Sequence, residues 1–260
     1  MSKSEKKIWV IKVGSALVIE GGPLLVRAWM KQVALLKRRF KIDVVWVTSG
    51  AIASARFRTR KKWKLLPEKQ ALSAIGQPML MEAYGLALQA EKLLSGQVLL
   101  TYNDMARATP RKNLKNTLSK LLQWNVVPIL NENDAVATEE IQFGDNDLLS
   151  AKVAALMGAE RLVILTNVHG LYDRNPQKDK TAQLISRLAR VSKQHLDATD
   201  KGAKSKVGRG GMYSKLRAAA YAQKQGVPTW ILKGDIEDGL LKIARQMSLG
   251  TQIGPSPRRP

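Results

Sequence analysis

The chain has 260 residues and a formal net charge of +22, from 43 Lys and Arg against 21 Asp and Glu, and it contains no cysteine. A hydrophobic share of 45% excludes a disordered chain, and the missing thiols exclude a disulfide framework or a thiolate metal site. No uncharged apolar stretch approaches the roughly 18 residues of a membrane-spanning helix, and no leader pattern follows the basic residues 1–7, so a cytoplasmic protein without a membrane partner is expected.

In chain order, residues 8–13 read as a strand ending in the Gly14-Ser15 turn. Pro23 starts a helix to residue 40, with Leu24, Leu25, Ala28, Val33 and Leu36 at helical spacing. Residues 42–47 form a second strand that delivers Thr48-Ser49-Gly50. Pro67 and Glu68 open a long helical region to residue 94, bent near Pro78. A short strand at 98–100 and a helix at 113–124 come next. A strand at 126–130 then runs into Asn131-Glu132-Asn133-Asp134. A helix from 146 or 147 to 157 has an N-terminal carboxylate suited to its dipole. A buried strand at 161–165 leads to Thr166-Asn167, a turn and helix occupy 210–225, and 227–232 is a final strand. Residues 254–260 read as a frayed tail. This alternation predicts one compact α/β unit around a mostly parallel sheet covered on both faces.

Charge is unevenly spread. Residues 121–151 carry no Lys or Arg across 31 positions, yet hold six acids: Glu132, Asp134, Glu139, Glu140, Asp145 and Asp147. About five cations would be expected there at this composition. An acidic, amide-rich segment in so basic a chain points to a small-molecule site. The densest basic run, residues 56–64, has six cations in nine positions around Trp63. It reads as a phosphate-binding strip or as a solvated loop. The RNP, KH and zinc-finger signatures are missing, which argues against nucleic acid as the partner.

Several enzyme classes are excluded by motif. There is no Gly-x-x-x-x-Gly-Lys-Ser/Thr run, no protein-kinase catalytic loop, and no second glycine to make Ser49 a nucleophile elbow. His169 and His195 lack metal-ligand spacing. Ligands collect at the carboxyl ends of strands in open parallel sheets. Those ends carry Lys12-Val13-Gly14-Ser15, Thr48-Ser49-Gly50-Ala51, Asn131 to Asp134, and Thr166-Asn167; the turn at 208–212 precedes a helix bearing Lys215. Singly, each has a bland reading: Asp147 as an N-cap, Asn131 and Asp134 as an Asx turn, Lys12 as a strand-end cation reaching solvent. Together they describe an anion site with lysines beside a polar pocket for a charged metabolite.

The motifs also carry a resemblance. Val10-Ile11-Lys12-Val13-Gly14-Ser15, Thr48-Ser49-Gly50-Ala51, Asn131-Glu132-Asn133-Asp134, Gly144-Asp145-Asn146-Asp147, and Gly210-Gly211-Met212 with Lys215 resemble the glutamate 5-kinase family of the amino acid kinase superfamily over nearly the full length. The resemblance implies a three-layer αβα sandwich and ATP-dependent phosphorylation of the L-glutamate γ-carboxylate, the first step of proline synthesis. It implies Lys12, Asp147 and Lys215 as the catalytic set, with the aspartate orienting two lysines on the transferring phosphoryl group. Ser49, Gly50, Asn131, Asp134 and Asn146 are implied for glutamate, with Asp134 facing the α-ammonium. Lys12, Gly14, Ser15, Thr166, Asn167, Arg209, Gly210, Gly211, Met212 and Lys215 are implied for ATP, with Mg²⁺ carried on the nucleotide and no dedicated protein ligands. The family implies a homodimer or homotetramer and a glutamyl phosphate reductase as partner. It also implies a kinase domain over 1–253 without the PUA domain of many members. The alternatives are a sister amino acid kinase with another acceptor, or a retired, basic RNA-binding relative.

The chain departs from the family pattern in four places: Asn167 stands where Asp is usual, Arg209 and Tyr213 where small residues are usual, and a glycine common after the second strand's motif is replaced around Ser54-Ala55. They bear on the nucleotide pocket and leave the two lysines intact.

Overall fold

The computed structural model of the chain describes residues 7–59, 65–136, 146–200 and 211–255. Eight strands form a single sheet. β1 (Lys7–Val13) lies at its centre, flanked by β2 (Ile42–Val47) and β5 (Arg161–Thr166). Beyond β2 come β4 (Val126–Glu132) and the edge strand β3 (Leu94–Leu100). Beyond β5 come β7 (Thr229–Lys233), β8 (Thr251–Ile253) and β6 (Arg187–Leu188). Every pairing is parallel except β7 with β8. The chain leaves β1 for β2 on one side and later returns to β5 on the other, so the strand order reverses around β1. A crevice opens at the carboxyl ends of strands at such a point.

Strand alternation sorts side chains onto two faces. Trp9, Ile11 and Val13 of β1 join one core with α1 (Ser15–Phe40), α3 (Leu66–Ala90) and α9 (Gly239–Ala244). Val10 joins the other core with α5 (Ala108–Gln123), α6 (Asn146–Met157) and α8 (Met212–Lys224). The layers are helix, sheet, helix, as expected. No described helix is long and apolar enough to cross a membrane.

Several boundaries differ from the sequence reading. α1 begins at Ser15, earlier than Pro23, because its two segments meet at Gly22 (φ 55°, ψ −159°) and Pro23 restarts the second. α3 ends at Ala90 and not near 94: Lys92 turns left-handed (φ 58°) and the Leu93 N–H returns to the Leu88 carbonyl, a Schellman stop that releases β3. The helix continues through Pro78. Residues 56–59, read as loop, are the end of a helix, α2 (Ala51–Thr59); residues 60–64 lie outside the described part. α2 docks on α3 at Gly76, where a Cβ would sit 1.8 Å from the Ala51 carbonyl oxygen, so only glycine permits this approach. The short elements α4 (Tyr102–Ala106), α7 (Lys193–Asp200), α9, β6 and β8 have no counterpart in the reading. Gly254 is buried and its N–H bonds the Leu188 carbonyl (3.0 Å), so the tail is tied down at its start. Residues 256–260 lie outside the described part.

Candidate active site

Four helices begin at the carboxyl end of the sheet, next to the reversal of strand order. Gly14 is the N-cap of α1, Gly50 leads into α2, Asn146 opens α6 and Gly211 is the N-cap of α8. Their first backbone N–H groups lack partners within the helix, and the dipoles favour anions. Gly50 holds φ at 111°, a conformation that side chains resist, and a Cβ added there would meet the Ser15 Cα at 3.6 Å. The turns after β1 and β2 are therefore adjacent.

Asp147, in the first turn of α6, is fully buried, and Lys12 and Lys215 are 3% and 5% exposed. Their Nζ atoms take opposite oxygens of the one carboxylate. Lys12 pairs with Oδ1, and Lys215 reaches Oδ2 at 3.1 Å. The Ser214 hydroxyl donates to the same Oδ2 at 2.8 Å. Burial pushes the Asp147 carboxyl up, but the two lysines and the hydroxyl outweigh it and hold it well below the usual carboxylate range. The aspartate is thus a fixed anion, unsuited to take a proton. The three residues come from β1, α6 and α8, and Lys12 extends from the last turn of its strand toward the α6 face of the sheet.

Beside this triad is a chain of carboxamides. Asn146 Nδ2 donates to the Thr48 carbonyl and to Asn131 Oδ1, both at 2.8 Å. Asn131 Oδ1 also accepts from the Glu132 N–H (2.9 Å), while Asn131 Nδ2 donates to Gln77 Oε1 (2.8 Å). Asp134 accepts from the Ser73 hydroxyl at 3.1 Å. Burial pushes its carboxyl up to about 6, with the Ser73 bond offsetting part of the rise. Behind Thr48, its hydroxyl meets the Tyr84 OH at 2.9 Å, and burial raises that phenol to about 12.

Most of the residues singled out from the sequence lie at this end of the sheet. Lys12, Asp147 and Lys215 touch, and Asn131 and Asn146 touch. Asp134 begins the turn after β4, and Ser49 and Gly50 are half-buried in the turn after β2. Thr166 closes β5 and is 8% exposed; Asn167 beside it is exposed. Gly211 is exposed and Met212 half-buried against the α8 side of the core. Arg209, Gly210, Gly144 and Asp145 lie outside the described residues, as do Glu139 and Glu140. Tyr213 stacks beneath Arg217, 5.8 Å from ring centroid to guanidinium carbon. His169 is exposed, and His195 bonds the Ser192 hydroxyl at 2.7 Å.

The sequence reading missed Ser73, Gln77, Tyr84 and Ser214, and named Thr48 only within its strand-end motif. A signal existed for the α3 members: Ser73, Gln77 and Tyr84 fall with Leu72, Leu80 and Leu88 on the buried stripe of a helix, where uncompensated polar groups are costly.

A crevice at a strand-order reversal, with lysines converging on one buried carboxylate, fits a phosphoryl-transfer protein on an α/β sheet that does without a P-loop. Residues 7–233 match the family described as the Amino acid kinase family, and the chain belongs to it. Among its relatives is the glutamate 5-kinase of Nitrosospira multiformis, 42% identical over 96% of this chain and 68% of the relative. Those of Hahella chejuensis (39%, covering 98% and 67%) and Chromobacterium violaceum (44%, covering 94% and 67%) are similar over the same span.

Proposed function

We propose that the chain transfers the γ-phosphoryl group of ATP to the γ-carboxylate of L-glutamate, as its likeness to glutamate 5-kinases suggests. The observation that carries this reading is the Asp147 carboxylate gripping Lys12 and Lys215 from opposite sides at the crevice. A carboxylate oxygen attacks Pγ, the Pγ–O bond to ADP breaks, and an acyl phosphate and ADP leave. The acceptor is already ionised near neutral pH, so no general base is needed. The difficulty is bringing two anions together, and two cations whose positions are set before binding meet it.

In this reading Lys12, from the acceptor side, and Lys215, from the α8 side, neutralise the charge building on the transferring group. Asp147 keeps the two ammonium groups in place without touching the substrate. Gly14, Ser15, Thr166, Asn167, Gly211 and Met212 would face the nucleotide, together with the undescribed Arg209 and Gly210. Ser49, Gly50, Asn131, Asp134 and Asn146 would face glutamate. The described residues hold no cluster of three or more His, Asp or Glu that would suit a metal, so the donor set fits Mg²⁺ held mainly by ATP phosphates. An acyl phosphate hydrolyses readily and calls for a reductase to consume it.

Hydroxylamine trapping tests the proposal: glutamate, ATP and Mg²⁺ should yield γ-glutamyl hydroxamate. Turnover confined to N-acetylglutamate, aspartate or carbamate would overturn it.

A further inference from the structure

One face of α3 backs the acceptor pocket. Ser73, Gln77, Leu80 and Tyr84 recur at helical spacing and are all buried, at 4%, 7%, 2% and 0% exposure. Three of them bond pocket groups: Ser73 to Asp134, Gln77 to Asn131, and Tyr84 to Thr48, whose carbonyl in turn takes Asn146. We propose that Gln77 is a positioning residue that sets acceptor specificity, by anchoring Asn131 so that both Nδ2 hydrogens of Asn146 stay occupied and only its oxygen faces the substrate. The proposal rests on the reading of glutamate as acceptor.

The polarity of the chain follows from its fixed ends. The Glu132 N–H can only donate, so Asn131 must present Oδ1 to it at 2.9 Å. The Thr48 carbonyl can only accept, so Asn146 must present Nδ2 at 2.8 Å. Asn131 Oδ1 then uses both lone pairs, on Glu132 and Asn146, and its Nδ2 needs an acceptor, which Gln77 Oε1 supplies at 2.8 Å. Both hydrogens of Asn146 Nδ2 are consumed by Thr48 and Asn131. Toward a ligand, Asn146 therefore offers only its acceptor oxygen. With the Asp134 carboxylate nearby in the same pocket, the remaining capacity suits a donor cation, the α-ammonium of an amino acid. Gln77 Nε2 is buried without a partner, so Oε1 is the atom that matters at this position.

Removing that acceptor leaves Asn131 Nδ2 unsatisfied and loosens Asn131; when Asn131 turns away, one Nδ2 hydrogen of Asn146, still anchored on Thr48, is released into the pocket, where it would oppose the ammonium. Glutarate has both carboxylates of glutamate and no ammonium, so it separates the two effects. Initial rates of hydroxamate formation with glutamate and with glutarate, the latter also scored as a competitive inhibitor, should be compared across wild type, Gln77→Met and Gln77→Glu, with folding checked by thermal melts. Gln77→Met is expected to lower kcat/KM for glutamate about tenfold or more, mainly through KM, and that for glutarate by about threefold at most. Gln77→Glu keeps an acceptor toward Asn131 and should return the glutamate-to-glutarate ratio to within about threefold of wild type.

Equal losses on both acceptors would overturn the inference, because they are what a packing defect produces. So would a Gln77→Glu enzyme as unselective as Gln77→Met. A wild type with no glutamate turnover would instead overturn the reading of the acceptor, and this inference with it.

Discussion

The sheet buries charge at both of its ends and neutralises it in two ways. At the carboxyl end, Asp147 is shared by a lysine from β1 and a lysine and a hydroxyl from α8. At the amino end, Arg161, the first residue of β5, lies between Trp9 and Trp230, with its guanidinium carbon 4.3 and 4.7 Å from the ring centroids. It pairs with Glu160 at 3.2 Å, and Glu160 also accepts from the Trp9 indole at 3.0 Å. Burial lowers the Arg161 pKa, and Glu160 partly restores it. The aromatic faces and Glu160 hold the cation between them, with its Nε buried without a hydrogen-bond partner. The lysines at the other end are held by an anion, beside the first turns of α6 and α8. Buried charge alone does not mark an active site; the marker is a charge at a strand-order reversal, where helix N-termini converge.

The sharpest way to break this contrast is to remove a lysine. Lys215→Ala should lower kcat by about 10³-fold with a small change in glutamate KM, as expected for a group that acts on the transition state. A change confined to KM would move Lys215 to a binding role. Asp147→Asn should cost about 10²-fold in kcat, since an amide has one acceptor oxygen where the carboxylate serves two lysines, and one ammonium must drift. Steady-state kinetics with saturating ATP reads both. If Asp147→Asn melts far lower yet keeps its kcat, the triad is structural and the contrast with Arg161 disappears.

The converse test is Arg161→Met, which keeps an apolar stem between the two indoles and removes the cation. The loss of two cation–π contacts and the Glu160 pair should lower stability by about 2 kcal/mol, with kcat/KM unchanged. Denaturant unfolding and a rate assay on the same sample decide it. An activity loss without a stability loss would mean that the two ends of β5 are coupled.

What the sequence disclosed follows the same division. β2 could be read to its observed ends because all six of its residues are buried and apolar or β-forming around Asp43. Only the end of β3 could be read, since an edge strand with Ser95, Gly96 and Gln97 shows no apolar run and is defined by pairing with β4. α2 has neither an N-cap side chain nor a clear apolar stripe, and its place depends on Gly76 in another helix. In the site, Lys12, Asp147 and Lys215 stood in recognisable strand-end and helix-start motifs. Gln77 and Ser73 did not, because they meet Asn131 and Asp134 across 54 and 61 residues of chain. Local pattern carries the groups on turns, while the helix that holds those turns in place is known only once the layers are stacked.

Asp134 gives the finest test, because it resembles Asp147 in chemistry and opposes it in titration. Its carboxyl is pushed up from 3.8 to about 6 by burial, so it loses its charge as pH falls through about 6. If the ionised form faces the α-ammonium, glutamate KM at saturating ATP should climb below that pH by up to about tenfold per unit, while kcat changes less. Stability responds with the opposite sign. A folded pKa above the unfolded one gives a contribution that is fully present below about 3.8 and lost as pH rises through about 6. Asp147, held below its ordinary value, contributes above that value and loses the contribution as pH falls. Between pH 4 and 6, acid should therefore weaken substrate binding while Asp134 itself favours the fold. Asp134→Asn should flatten the KM profile from pH 7.5 to 5 and remove its share of the stability slope. A wild-type profile that matches Asp134→Asn would place the ammonium contact on Asn146 alone and make the amide chain, with Gln77 at its end, the whole of the selectivity device.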